Sequence, residues 1–289
     1  MGEGEAAGDR GRLYIVGTPI GNLGDLTIRA AEILGSVDAV ICEDTRRTGK
    51  LLAHIGNRGD RTTRPDLVVA NEHTEVPRIA EIVDRLERGQ CLALVTDAGM
   101  PTISDPGAAV VAAVVAKGFE PEVVPGPTAV SAALALGAQP TDRFVFEGFL
   151  PRKGRERTDR LAALATEDRT IVLYEAPHRL RRTLTDLAGI CGGDRPVSVA
   201  RELTKLHEQV LRSTLAEAHD HFCRHDPRGE FVLILAGRST ERPTQTDVAL
   251  LDALQDRLDQ GLSKRDAVAE VVAETGEPKR RVYDLATTL

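Results

Sequence analysis

Residues 13–27 read LYIVGTPIGNLGDLT: four apolar residues, then a turn-rich stretch with three glycines and a proline. A short apolar run that ends in such a loop and is followed by helix-forming sequence opens a strand–loop–helix unit. The loop is the informative part. A triphosphate cradle ends in Gly-Lys-Ser/Thr so that the lysine reaches the phosphates, whereas Gly24 is followed here by Asp25 and Leu26. Gly17, Gly21 and Gly24 also miss the GxGxxG spacing of dinucleotide sites, and Pro19 lacks the N–H that an anion cradle uses. Dinucleotide and triphosphate binding are disfavoured, which leaves a ligand that is smaller and uncharged at that point.

The same grammar repeats along the first half. Apolar runs at 13–16, 39–42, 67–70, 91–95 and 122–124 predict strands; amphipathic stretches at 27–34, 45–55, 76–88 and 106–117 predict helices. Thr27 and Thr45 suit N-caps, and Pro106 suits a first helical turn. Alternation of this kind predicts a mainly parallel sheet with helices packed on it. In such sheets ligands bind beyond the carboxyl ends of the strands, and the unusual residues gather there: GTPIGN, then Glu43-Asp44-Thr45-Arg46, Asn71-Glu72-His73, TDAGMPTISDPG at 96–107, and PGPTA from 125.

Residues 125–141, PGPTAVSAALALGAQPT, read as a hinge carrying a short Ala-rich helix. Beyond it, strands predicted at 144–146, 170–174, 197–200, 209–213 and 231–236 come with fewer helices, the pattern of a mixed sheet. From about 243 the chain reads as helices at 248–258, 264–275 and 278–285; Ser263 caps the second, Gly276 marks a junction and Pro278 opens the third, a helix-turn-helix silhouette. Acidic residues outnumber basic ones across this tail, which disfavours reading of duplex DNA.

Bulk composition narrows the classes. The chain has 289 residues, 42% of them hydrophobic and 28% charged, enough to bury two cores. No stretch approaches the roughly 18–20 apolar residues of a membrane span, and the start, MGEGEAAGDRGR, is small and polar, so we expect a cytoplasmic protein with residues 1–11 a disordered lead-in. The four cysteines lie far apart with no CxxC pair, giving no metal or redox signal. A net charge of −7 argues against a chain coated with nucleic acid, yet local basic patches occur at Arg46-Arg47, at Arg152, Lys153, Arg155 and Arg157, and at Arg179 with Arg181-Arg182.

Taken in order, GTPIGNLGDLT, EDTRRT, TDAGMPTISDPG, PGPTAV, FEGFLPRKGRER, YEAPHR, ARELTKLHE and GEFVLIL resemble the tetrapyrrole methylase superfamily, and more narrowly its ribosomal RNA branch. The resemblance covers about residues 12–237. It implies a two-domain α/β tetrapyrrole methylase-like fold with a cofactor cleft between an N-terminal domain at 12–124 and a C-terminal domain at 125–238, followed by a helical appendage at 239–289. It also implies 2′-O-methylation of a cytidine ribose in 16S rRNA of the small ribosomal subunit, with S-adenosylmethionine as donor, and a homodimer. Within the cleft it implies cofactor contacts from Pro19, Ile20, Met100, Ile103, Thr128, Ala129, Tyr174, Ala200, Glu230 and Phe231. Relatives often carry Thr where Met100 stands.

Ribose methylation requires alignment of oxygen, methyl carbon and sulfur, exclusion of water and loss of a hydroxyl proton; a cationic donor needs no metal. Lys205 and Glu208 are the first candidates for the proton, then Glu175 and Asp44. The competing role for each carboxylate is a salt bridge, and for Lys205 a phosphate contact. Arg46, Arg47, Arg152, Lys153, Arg155, Arg157 and Arg179 are the candidate RNA contacts. With three Tyr, six Phe and no Trp, little is left for stacking on bases. Two rival readings share some of these features: a tetrapyrrole-methylating enzyme of the same fold, and a non-catalytic nucleic-acid-binding regulator.

Overall fold

The computed structural model describes residues 11–56, 64–71, 73–238 and 245–289. The expected lead-in and Glu72 lie outside them, Gly11 excepted. The chain forms two compact units, Met1–Gly237 and Arg238–Leu289.

The first unit contains two five-stranded sheets. The first is built from β1 (Arg12–Val16), β2 (Ala39–Cys42), β3 (Asp66–Val69), β4 (Cys91–Leu94) and β5 (Glu122–Val124), all parallel, in the order β3-β2-β4-β1-β5. Period-two alternation gives the sheet two covered faces. Val40, Cys42, Ala93 and Val95 pack on α1 (Ile28–Ser36) and α2 (Thr45–Ile55). Ala39, Ile41, Leu92 and Leu94 pack on α3 (Glu75–Glu87) and α4 (Ala108–Ala116). Two helix starts differ from expectation. Asp44, not Thr45, caps α2: its carboxylate accepts from Arg46 N at 2.7 Å. Pro106 precedes α4, whose cap is Gly107 at φ 121°, and Leu94 Cδ2 would lie 2.8 Å from any Cβ there. Thr27 does cap α1, accepting from Ala30 N.

Between the sheets runs α5 (Ala129–Leu136), capped by Thr128. The second sheet is mixed, as its sequence predicts. It comprises β6 (Phe144–Phe149), β7 (Thr170–Glu175), β8 (Pro196–Arg201), β9 (Gln209–Thr214) and β10 (Phe231–Leu235), in the order β6-β7-β10-β8-β9, with only β6–β7 parallel. One face carries α6 (Gly154–Thr166), α7 (Pro177–Cys191) and α8 (Leu215–Arg224) over Ile171, Leu173, Val199 and Leu233. The other packs Val172, Ala200, Val232 and Ile234 on α5 and on Ile20 of the first loop. That second contact joins the two sheets.

The second unit holds α9 (Asp247–Asp259), α10 (Lys264–Thr275) and α11 (Lys279–Ala286) around Leu250, Leu254, Val268, Val271 and Val282. Ser263 caps α10, and Gly276 at φ 74° turns the chain into α11.

Candidate active site

The glycines of the opening loop serve close packing. A Cβ on Gly17 would lie 2.7 Å from the Gly126 main chain, and one on Gly126 would lie 2.9 Å from that of Gly17. The loops after β1 and β5 thus touch backbone to backbone, which only glycine permits. Thr18 ties the same loop to the one after β4: its N–H donates to Gly99 O at 2.9 Å, and its hydroxyl to Thr96 O at 3.0 Å. Gly21 lies under Lys205, whose Cε would be 2.9 Å from an added Cβ. Three loops of the first sheet and the 201–208 loop of the second therefore form one floor. Thr102 at φ 74° and Ser104 at φ 63° hold left-handed conformations in the loop after β4, strain of the kind that tight functional loops retain.

Above this floor is a cavity of about 360 Å³, within the range of small-molecule sites. Ile20, Met100, Ala129, Leu203 and Val232 make its apolar wall; Tyr174 and Asp105 are among its polar residues, with Ser104, Thr128, Glu175 and Glu230. Burial, with Glu43 and Asp97 adding like charge, pushes the Asp105 carboxyl up to about 6. Burial likewise pushes Tyr174 up to about 12, with the negative charge of Asp105 contributing, so the phenol keeps its proton. Behind Asp105, the Thr96 hydroxyl donates to Glu43, and Asp97 pairs with Arg47 at 3.4 Å. Neither Asp105 nor Leu203 was singled out from sequence. Asp105 sits in TDAGMPTISDPG, where an aspartate before Pro-Gly reads as turn chemistry.

Among the residues named from sequence, Ile20, Met100, Ile103, Thr128, Ala129, Tyr174, Glu175, Glu230 and Phe231 line the cavity. Pro19 and Ala200 do not: both are buried beneath it, Ala200 in the core against α5. Phe231 is 2% exposed, its ring edge-on to Phe222 in the helical core, so it offers the cavity main chain only. Glu175 falls on the same helical face by alternation. Its carboxylate accepts from Ala176 N at 2.8 Å and from the Thr183 hydroxyl at 2.5 Å, and it pairs with Arg179, which fastens the start of α7. The Thr128 hydroxyl is engaged as the α5 cap.

The remaining proton-transfer candidates also have structural partners. Lys205 Nζ donates to Glu202 at 2.9 Å and Glu230 at 2.8 Å. Burial alone would lower this ammonium's pKa, but the two carboxylates outweigh it and the net shift is upward, the wrong direction for a base. Glu208 is exposed and accepts from Thr204 N at 2.6 Å, closing the 201–208 turn. Asp44 is held down at about 2 by hydrogen bonds from the Arg46 side chain and backbone. Two of the basic candidates are internal: Arg157, 4% exposed, binds Asp186, Thr183 and Pro151 O, and Arg179 donates to Leu150 O. Arg46 and Arg47 are exposed but paired. Arg152, Lys153 and Arg155 lie exposed at the start of α6, and among the described residues only Arg155 has a carboxylate partner, Asp159.

Known proteins resemble the chain in both units. Residues 12–219 match the model of Tetrapyrrole (Corrin/Porphyrin) Methylases, and residues 245–289 match that of the RsmI C-terminal HTH domain. A Ribosomal RNA small subunit methyltransferase I from Synechocystis sp. is 48% identical over 96% of this chain and 98% of its own. Its namesake from Xylella fastidiosa is 45% identical over 94% and 98%. Among solved structures, uroporphyrin-III C-methyl transferase from Thermus thermophilus complexed with S-adenyl homocysteine superposes with a TM-score of 0.55 at 16% identity, covering 78% of this chain and 97% of that one. The chain belongs to the tetrapyrrole methylase family, in the branch of ribosomal RNA small subunit methyltransferase I.

Proposed function

We propose that the chain transfers a methyl group from S-adenosylmethionine to the 2′-hydroxyl of a cytidine ribose in small-subunit (16S) ribosomal RNA, on the assembled subunit. The observation that carries this reading is the cavity between the two sheets. It has an apolar wall and the Asp105 carboxylate, which suits a sulfonium cation, and its lining residue Phe149 stands three residues before an exposed basic run at 152–155. The relatives' name and their near full-length match supply the substrate class.

When bound, S-adenosylmethionine supplies an electrophilic methyl group on sulfur. Ile20, Met100, Ala129, Leu203 and Val232 would hold it and keep water out. Asp105, ionised at neutrality but more basic than an ordinary carboxylate, would accept the ribose proton, and Tyr174 would orient the acceptor as a hydrogen-bond donor. Lys205 would act by position, locking the 201–208 loop over Gly21. On this reading residues 12–124 and 125–238 are the two domains that enclose the cleft. We extend it to a homodimer acting in the cytoplasm; the homodimer rests on the family resemblance, and no helix among the described residues is long and apolar enough to cross a membrane.

A tetrapyrrole substrate is the weaker reading: among the described residues no Lys or Arg lines the cavity to meet a macrocycle's carboxylates. Labelled donor incubated separately with small subunits, free rRNA and a porphyrinogen tests the choice. Incorporation into subunits is expected; incorporation into the porphyrinogen instead would overturn it.

A further inference from the structure

Phe149 lines the cavity and has no part in the mechanism. Its neighbours on the inner wall are sealed, with Ile20 at 7%, Leu203 at 6% and Val232 at 6% exposure, whereas Phe149 is 51% exposed. An aromatic ring half in water beside a buried apolar pocket is a cost unless something covers it.

The sequence takes specific steps to put it there. Strand β6 carries a bulge: Phe146 pairs with Val172, and the next pair is Gly148 with Leu173, so Glu147 is the extra residue. Strict alternation would set Phe146 and Phe149 on opposite faces. The inserted residue returns Phe149 to the face of Phe146, and both rings meet Tyr174 edge-on, at 5.0 Å and 5.6 Å between centroids. Gly148 makes the bulge possible at φ 60°, and an added Cβ there would lie 2.8 Å from Ser104 Oγ. The strained loop after β4 therefore abuts the bulge, which brings Ile103, itself 45% exposed, to the same rim as Phe149. Three residues on, Arg152 and Lys153 stand exposed without an ion-pair partner among the described residues. An apolar rim with an anchored ring, next to unneutralised cations, fits an unstacked nucleobase attached to a phosphate backbone.

We propose that Phe149, with Ile103 beside it on the rim, is the platform on which the base of the target nucleotide stacks, so that its ribose hydroxyl reaches into the cavity. This inference rests on the function proposed above. Tyr174 fixes the ring from the edge and leaves its face for the base, while Arg152 and Lys153 take flanking phosphates. Phe149 is then a positioning residue for the acceptor, with no part in holding the donor.

The test compares wild type with Phe149→Ala, Phe149→Leu and Phe149→Trp in methyl transfer to small subunits, alongside calorimetric titration with S-adenosylmethionine alone. Wild-type transfer establishes the underlying reading; its absence would sink that reading rather than this one. Given transfer, stacking predicts that the Ala and Leu variants lose tenfold to a hundredfold in kcat/KM for the subunit, on the order expected for one base–aromatic stack. Donor affinity should stay unchanged and Trp should retain activity. If Leu performs as well as wild type, the aromatic plane is irrelevant and the proposal fails. If donor affinity falls in step with activity, Phe149 covers the cofactor and the proposal is likewise wrong. Circular dichroism and melting curves confirm that each variant is folded.

Discussion

At the scale of single residues, the proposed chemistry turns on Asp105. Its folded pKa of about 6 lies above the ordinary 3.8, so between those values the folded protein holds more of this proton than the unfolded chain. The group therefore costs stability as pH rises through that window, and the full cost is present above about pH 6. Asp105→Asn should raise the melting temperature at pH 8 by about 2–4 °C, after discounting for partial solvent access, and should lower turnover by about 10²–10⁴. At pH 4 the gain in melting temperature should vanish; an equal gain there would point to packing instead. Wild-type turnover should climb as pH passes about 6, and a flat profile would remove Asp105 as proton acceptor.

The glycines separate at the same scale. Gly17→Ala and Gly126→Ala force main chains apart and should cost about 1–3 kcal/mol or more. Gly49→Ala, inside α2 with nothing within 4 Å of the new Cβ, should stabilise by roughly 0.5–1 kcal/mol. Urea unfolding of the three variants checks the ordering. A sequence reading sees that Gly17 is unusual but not that its partner is Gly126, because that contact joins loops a hundred residues apart. Lys205 and Glu175 likewise look like chemistry in one dimension. In the fold their charges are spent on Glu202 and Glu230, and on Thr183 and the start of α7.

Elements were the most legible level. All ten strands lie within a few residues of the apolar runs that announce them, since period two and β-branched content act locally. What escaped was local irregularity. The bulge in β6 lengthens that strand from the expected 144–146 to Phe144–Phe149, and GFLP in sequence reads as its end. Gly148→Ala tests the bulge: a left-handed alanine costs about 1–2 kcal/mol and also presses on Ser104. A melting temperature unchanged from wild type would show that β6 can re-register without it.

Over the whole molecule, a net −7 chain still presents an exposed basic run at 152–155, which the proposed function assigns to RNA. Five of the seven expected basic contacts have partners, Arg157 and Arg179 inside the fold and Arg46, Arg47 and Arg155 in exposed ion pairs; Arg152 and Lys153 have none among the described residues and share one exposed run with Arg155. Neutralising these three should weaken association with small subunits and reduce the slope of log affinity against log salt by up to about 3. An unchanged slope would exonerate the run. The odd loops at strand ends and, through the resemblance, Tyr174 were legible in the sequence, but Asp105 was not, because its turn-like setting before Pro-Gly gains a partner in Tyr174 only when the two sheets are brought together.

The most direct measurement digests small subunits to nucleosides after incubation with the protein and methyl-labelled S-adenosylmethionine, then locates the label by mass spectrometry. The account predicts label on the ribose of cytidine, as 2′-O-methylcytidine, at one methyl per subunit. Label on a base, or none in subunits shown to lack the modification beforehand, would contradict it.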